Sequence, residues 1–224
     1  IIDGYTQPGT ATNTSATAFN GTLLIRLDGT QAGSAVDGLA FGTGANTVRG
    51  LVIAKFSDDA IDLSGGGGNV IEGNLLGINP DSTYGGNTND AVHINGSGTN
   101  TIGGLDAGAR NVISWNNGQG LDISGAGAAG NQILGNLIGT DLGGTLDCGN
   151  LSDGVLITSI SNCVIRANVI AGNLSDGIEL NGTAVTNVII QNNFIGTDVS
   201  GTATNANSGS GINLATGARL NTIG

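Results

Sequence analysis

Apolar and polar residues alternate along this chain in stretches of only three to five positions, and the stretches return in the same order. One set reads small, apolar, variable, apolar. It runs from Gly38-Leu39-Ala40-Phe41 through Ala60-Ile61-Asp62-Leu63, Ala91-Val92-His93-Ile94, Gly120-Leu121-Asp122-Ile123, Gly154-Val155-Leu156-Ile157 and Gly177-Ile178-Glu179-Leu180 to Gly211-Ile212-Asn213-Leu214. A second set is a pair of apolar residues: Val52-Ile53, Leu75-Leu76, Val112-Ile113, Leu137-Ile138, Val169-Ile170 and Phe194-Ile195. A third is asparagine followed two positions later by an aliphatic residue, at Asn46, Asn69, Asn100, Asn131, Asn162, Asn187 and Asn221. Period-two alternation predicts strands with one buried face. Three short strands returning every 23 to 34 residues predict a solenoid. The expected fold is therefore all-β: one parallel β-helix over residues 1–224, with about seven or more rungs after an N-terminal segment 1–22.

A slower pattern overlies the first. The rungs that start at Asn69, Asn131 and Asn187 carry long loops, Gly77–Asn89, Gly139–Ser152 and Gly196–Gly209, and the alternate rungs do not. These loops are predicted to emerge together on one edge. Ile71, Ile102, Ile133, Val164 and Ile189 are predicted to point inward as aliphatic columns. Each buried aliphatic contributes up to about 1.5–3 kcal/mol. The recurrent asparagines admit two compatible roles. An inward amide can hydrogen-bond its equivalents in neighbouring rungs as a ladder, and asparagine also tolerates the left-handed geometry of a tight turn.

Composition narrows the class. The chain holds 42 glycines among 224 residues, and only 10% of residues are charged, with a net charge of -11. One lysine and five arginines are too few for a nucleic-acid footprint. No apolar run approaches the roughly 18 residues of a membrane helix. The glycines lack the three-residue period of collagen. A helical bundle would draw on Ala, Leu, Glu and Lys in place of Gly, Asn, Thr and Ile.

The motifs Ile2-Asp3-Gly4-Tyr5-Thr6-Gln7-Pro8-Gly9, Asn131–Asp141 and Thr101–Gly104 with Ala107–Ser114 resemble those of right-handed parallel β-helix repeat proteins of large bacterial extracellular polypeptides. The resemblance covers essentially the whole chain. It implies the right-handed fold, and an extracellular or cell-surface location. Pectate lyases, polygalacturonases, phage tailspikes and adhesins share that superfold, so it does not by itself choose an activity.

Candidate chemistry is sparse. The outward position of the alternating segment forms a column, Ala40, Asp62, His93, Asp122, Leu156, Glu179, Asn213, that holds the only histidine. With Asp58 and Asp59 it makes the best patch for a polysaccharide lyase or glycoside hydrolase, because carboxylates about 5 Å apart can divide acid and base roles. The plainer reading is a solvated polar face, and Leu156 interrupts the column. Lys55, the only lysine, and Arg49 lie near Asp58-Asp59-Asp62 in sequence. Asp58-Asp59 resembles the doubled aspartate of polygalacturonases, whose Gly-His-Gly and Arg-Ile-Lys motifs the chain lacks. Asp59 also shares a rung-corner position with Asp37, Asp90, Asp153 and Asp176, which marks a turn residue.

Asp81, Asp141 and Asp198, with Asp147, lie in the long loops with many carbonyls and offer calcium as a candidate metal there, without the spacing of an EF-hand. No cofactor is required by any motif. Trp115 and Tyr84 are the candidate carbohydrate-binding aromatics. The negative charge opposes an anionic polysaccharide unless calcium bridges. Cys148 and Cys163 lie on adjacent rungs and would either form a disulfide or remain free buried thiols.

Ile1 follows no charged and apolar leader, so a leader is expected to be already removed, and the chain is expected to be a processed piece or subunit of a longer solenoid. Asn221-Thr222-Ile223-Gly224 starts a new rung, whose cover is expected to be further rungs or a second copy. The function expected first is an extracellular structural or adhesive module that stacks end to end into filaments or continues in a longer parent. Its partners are itself and surface polysaccharide, with neither nucleic acid nor membrane insertion. The alternative is the polysaccharide-cleaving enzyme.

Overall fold

A computed structural model describes residues 1–224 and shows a right-handed parallel β-helix. Three sheets run along the axis, one of eight strands and two of seven, and within each sheet every neighbour is one rung away. The first sheet begins with Ile2–Asp3 and Thr47–Arg49 and ends with Thr222–Ile223. The second runs from Ile25–Asp28 to Phe194–Ile195, and the third from Leu39–Phe41 to Ile212–Ala215. All strand pairs are parallel. Part of the N-terminal segment thus already belongs to a sheet, since Ile2 pairs with Val48. No helix is long and apolar enough to cross a membrane.

The two predicted strand types differ for a physical reason. The third sheet is wet on one face, so it alternates. The second sheet is buried on both from Leu51–Ala54 to Val169–Ile170. Ile53, Leu76, Ile113, Ile138 and Ile170 point into the main core, while Val52, Leu75, Val112, Leu137 and Val169 form a second cluster outside it. Phe19 of the N-terminal segment and Leu23 just after it, with Ile78 and Cys148 of the long loops, cover that cluster. Arg110 ties the cover down by donating to the carbonyls of Ser15, Ala16 and Ala18. The long loops do lie on one edge: Leu142 N donates to Ser82 Oγ, and Val199 N to Gly144 O.

Asparagine ladders hold the corners. In the first, Asn46, Asn69, Asn100 and Asn131 pass amide hydrogen bonds of 2.8–2.9 Å from rung to rung. In the second, Asn74, Asn111, Asn136, Asn168 and Asn193 do the same. A third, Asn87, Asn116, Asn150, Asn173 and Asn207, was not foreseen. An amide suits this place because it donates and accepts at once, leaving no buried polar atom unpaired.

One expectation needs correction. Val164 and Ile189 do not point inward: Ile133 pairs with Ile165, and Ile165 with Ile190, so both rungs are shifted by one residue. Cys163 and Val188 occupy the ladder position there, both buried, and the ladder resumes only at Asn221, which accepts from Val188 N. Asn162 and Asn187 sit instead at φ +63° and +56° in the turn. Both proposed roles of asparagine are therefore present, at different rungs. The cysteines are both free and buried. Cys148 packs in the outer cluster and Cys163 in the main core, and burial pushes the thiols up to about 12 and about 11. At Gly139 the corner needs glycine, because φ is +82° and a Cβ would collide with the Ala171 carbonyl oxygen.

Candidate functional site

The outward column of the third sheet is in the predicted register. Ala40 pairs with Asp62, Asp62 with His93, His93 with Asp122, Asp122 with Leu156, Leu156 with Glu179 and Glu179 with Asn213. Strands Ile61–Leu63, Val92–Asn95 and Leu121–Ser124 thus present Asp62, His93 and Asp122 side by side on rigid backbone. His93 Nδ1 lies 3.0 Å from Asp62 Oδ1 and 3.5 Å from Asp59 Oδ2.

Asp59 arrives from the adjoining corner, where aspartates stack. Asp37 Oδ1 accepts from Asp59 N, Asp59 Oδ1 from Asp90 N, and Asp90 Oδ1 from Gln119 N. Farther along, Asp153 Oδ1 accepts from Asp176 N, and Asp176 Oδ1 from Ser210 N. This confirms the corner role of Asp37, Asp59, Asp90, Asp153 and Asp176: each ties one rung to the next. In the first half the carboxylates are crowded as well as buried. Burial first, with the neighbouring carboxylates adding to it, pushes Asp59 up to about 6 and Asp90 up to about 7. Burial likewise raises Asp122 and Asp37. Burial alone would favour a neutral His93, but Asp59, Asp122 and Asp62 outweigh it and hold the imidazole above its ordinary value.

The remaining candidates lie elsewhere. Asp58 stands at the edge of the patch and accepts from Asn89 Nδ2 at 3.3 Å. Arg49 is on the first sheet, paired with Asp3 at 2.7 Å and Glu72 at 3.6 Å, and takes no part in the patch. Lys55 occupies an exposed turn at φ +61°. Tyr84 and Trp115, remote in sequence, meet edge to face with ring centroids 6.1 Å apart. Tyr84 is 52% exposed, whereas Trp115 packs on the outer cluster, so the pair offers one aromatic face to solvent and no extended platform.

Asp81, Asp141 and Asp198 are not brought together. Each closes its own loop, Asp81 on Thr83, Asp141 on Thr145 and Leu146, and Asp198 on Ser200 and Ala203. These hydrogen bonds hold Asp81 and Asp198 below the usual carboxylate range. Three groups instead bring ligand-type atoms within 4.8 Å: Asp59–Asp62–His93, Asp37–Asp58–Asp59 and Asp153–Asp176–Glu179.

The asparagines of the third ladder were legible as a spacing, Asn-x-x-Asp, at Asn87/Asp90, Asn150/Asp153 and Asn173/Asp176, where the amide and carboxylate corners follow each other. No protein-family model matches the chain, and no curated protein is detectably similar to it.

Proposed function

We propose that this chain is a structural β-solenoid module of an extracellular or cell-surface assembly, a stiff spacer with adhesive faces. The observation that carries the reading is the set of asparagine ladders, which spends the buried polar side chains of the corners on rung-to-rung cohesion. Such a stack is regular along its axis, and its edges present unpaired strands to further rungs or to another copy. The surface geometry agrees. Two recesses, of about 330 and 230 Å³, lie at Ile190–Ile195 with Ile223 and at Tyr5 with Arg49 and Glu72, and the acidic patch lies outside both, on an open sheet face.

One observation favours the second reading, polysaccharide cleavage: His93 Nδ1 touches the carboxylates of Asp62 and Asp59, and burial holds Asp59 above the usual carboxylate range, an arrangement suited to acid–base work. A panel of neutral and acidic polysaccharides, with and without calcium, separates the two. The structural reading expects no turnover. Turnover that disappears in Asp62→Ala or His93→Ala would overturn it. Electron micrographs of the pure protein sharpen the same reading: rods much longer than the roughly 40 Å of a stack of seven or eight rungs are expected if copies join end to end.

A further inference from the structure

The geometry points to a cation site where the aspartate corner meets the third sheet. We propose that His93 Nδ1, one oxygen of Asp59 and one oxygen of Asp62 bind a first-row divalent cation of the zinc type. This goes beyond the structural reading and does not depend on it.

The distances carry the argument. The imidazole nitrogen is 3.0 and 3.5 Å from the two carboxylate oxygens, and the three atoms lie within 4.8 Å of one another. A cation with bonds of about 2.0–2.1 Å holds its nitrogen and oxygen ligands roughly 3.0–3.4 Å apart. The two edges that join the imidazole to the carboxylates are therefore within a few tenths of an ångström of coordination distances before any cation enters.

The supports are built. Asp59 Oδ1 is occupied by Asp90 N at 2.8 Å, which turns Oδ2 toward His93, and the side chain is only 6% exposed. Such fixed outer partners orient ligands in metal centres. Asp62 and His93 are neighbours across a strand pair, so no loop must move.

An independent sign is Asp122, beside His93 on the following rung. Its Oδ1 is buried and has no hydrogen-bond partner. A buried oxygen left unpaired is costly; Asp122 lies outside the three atoms that meet within 4.8 Å, but a cation held by its strand neighbour His93 would bring positive charge next to it. Charge acts in the same sense. Asp59, Asp62 and Asp122 adjoin one imidazole, Asp37 and Asp90 act on it from the corner, and the ion pairs formed among them all use that imidazole.

The ligand type sets the cation class. Imidazole suits zinc and its first-row neighbours, while all-oxygen sets suit calcium and magnesium. Asp153–Asp176–Glu179 is such an all-oxygen group on the same corner, and there Asn213 Nδ2 already donates to Asp176 Oδ2 at 2.8 Å. It serves as the internal control.

The test uses the whole chain stripped with chelator and titrated with Zn²⁺. Because His93 is the only histidine, its ring-nitrogen resonances report the site without assignment. One zinc per chain and a displaced Nδ1 resonance are expected. A hundredfold excess over the dissociation constant should raise the unfolding midpoint by about 5–10 °C. His93→Gln should weaken binding by more than about tenfold, since losing a ligand costs at least as much as losing its outer support. Asp176→Asn should bind as the parent does. Unmoved imidazole resonances at saturating zinc would overturn the proposal without recourse to any variant. So would full binding by a folded His93→Gln, or loss of binding in Asp176→Asn.

Discussion

Each rung turns at corners that are solved in two chemically different ways. The corners before the second sheet and before the aspartates carry amides, and the corner before the third sheet carries carboxylates. Asn111 and Asn116 are fully buried, and each both donates to and accepts from its neighbours. Asp59 and Asp90 are almost as buried, yet an ionised carboxylate only accepts, so stacked copies repel. The amide corner is the settled solution. A carboxylate where an amide would suffice carries a cost in stability, and such positions are where a second role is to be sought. The aspartate corner itself repeats the lesson. Around Asp59 and Asp90 the adjacent outward residues are Asp62, His93 and Asp122; around Asp153 and Asp176 they are Leu156, Glu179 and Asn213.

The contrast is most severely tested in the middle of a ladder. Asn111→Ala removes the acceptor for Asn74 N and the donor to Ile71 O, both buried. Two unpaired buried groups at about 1–3 kcal/mol each predict a loss of about 3 kcal/mol or more in urea unfolding. A loss below about 1 kcal/mol would mean that the ladder is decoration. Asp90→Asn should do the reverse. It keeps an acceptor for Gln119 N and removes one of the crowded charges, so at neutral pH a gain of about 1 kcal/mol is expected. A loss as large as that of Asn111→Ala would erase the distinction between the corners.

The smallest effect lies in the alkaline range. Beside the second ladder, Tyr5 Oη donates to Gly73 O at 2.8 Å, and burial pushes its phenol up to about 12. An acid raised in the folded state gives stability that is complete below its unfolded value near 10 and is lost as pH climbs toward 12. Thermal midpoints should therefore fall between pH 10 and 12, and Tyr5→Phe should flatten that stretch of the curve. An unchanged slope in the variant would assign the alkaline loss to other groups.

Much of this was legible because a solenoid converts sequence spacing directly into spatial stacking. The column from Ala40 to Asn213 is paired as its alternation predicts, since a one-residue slip would have put every apolar neighbour in water. The slip that did occur lies where alternation fails. Val164-Ile165 and Val188-Ile189-Ile190 are aliphatic throughout, so pattern alone cannot say which side chain is inside. Arg49 misled for the opposite reason: nearness in sequence to Asp58 means little when a corner intervenes and the next strand belongs to another sheet. The approach of His93 to Asp59 was hidden because it joins an outward strand position to a corner on the preceding rung, a diagonal that no linear spacing encodes.

The amide ladders also have a direction. In all three, the side-chain nitrogen of an earlier rung donates to the oxygen of a later one, and the aspartates run the other way, each accepting from the rung that follows. The stack is thus a one-way structure, with different faces at its two ends. Any growth that continues the ladders must be head to tail. Two copies meeting tail to tail would bring like groups of every ladder face to face, so fibres built from this unit would be polar, with chemically distinct tips that can elongate at unequal rates.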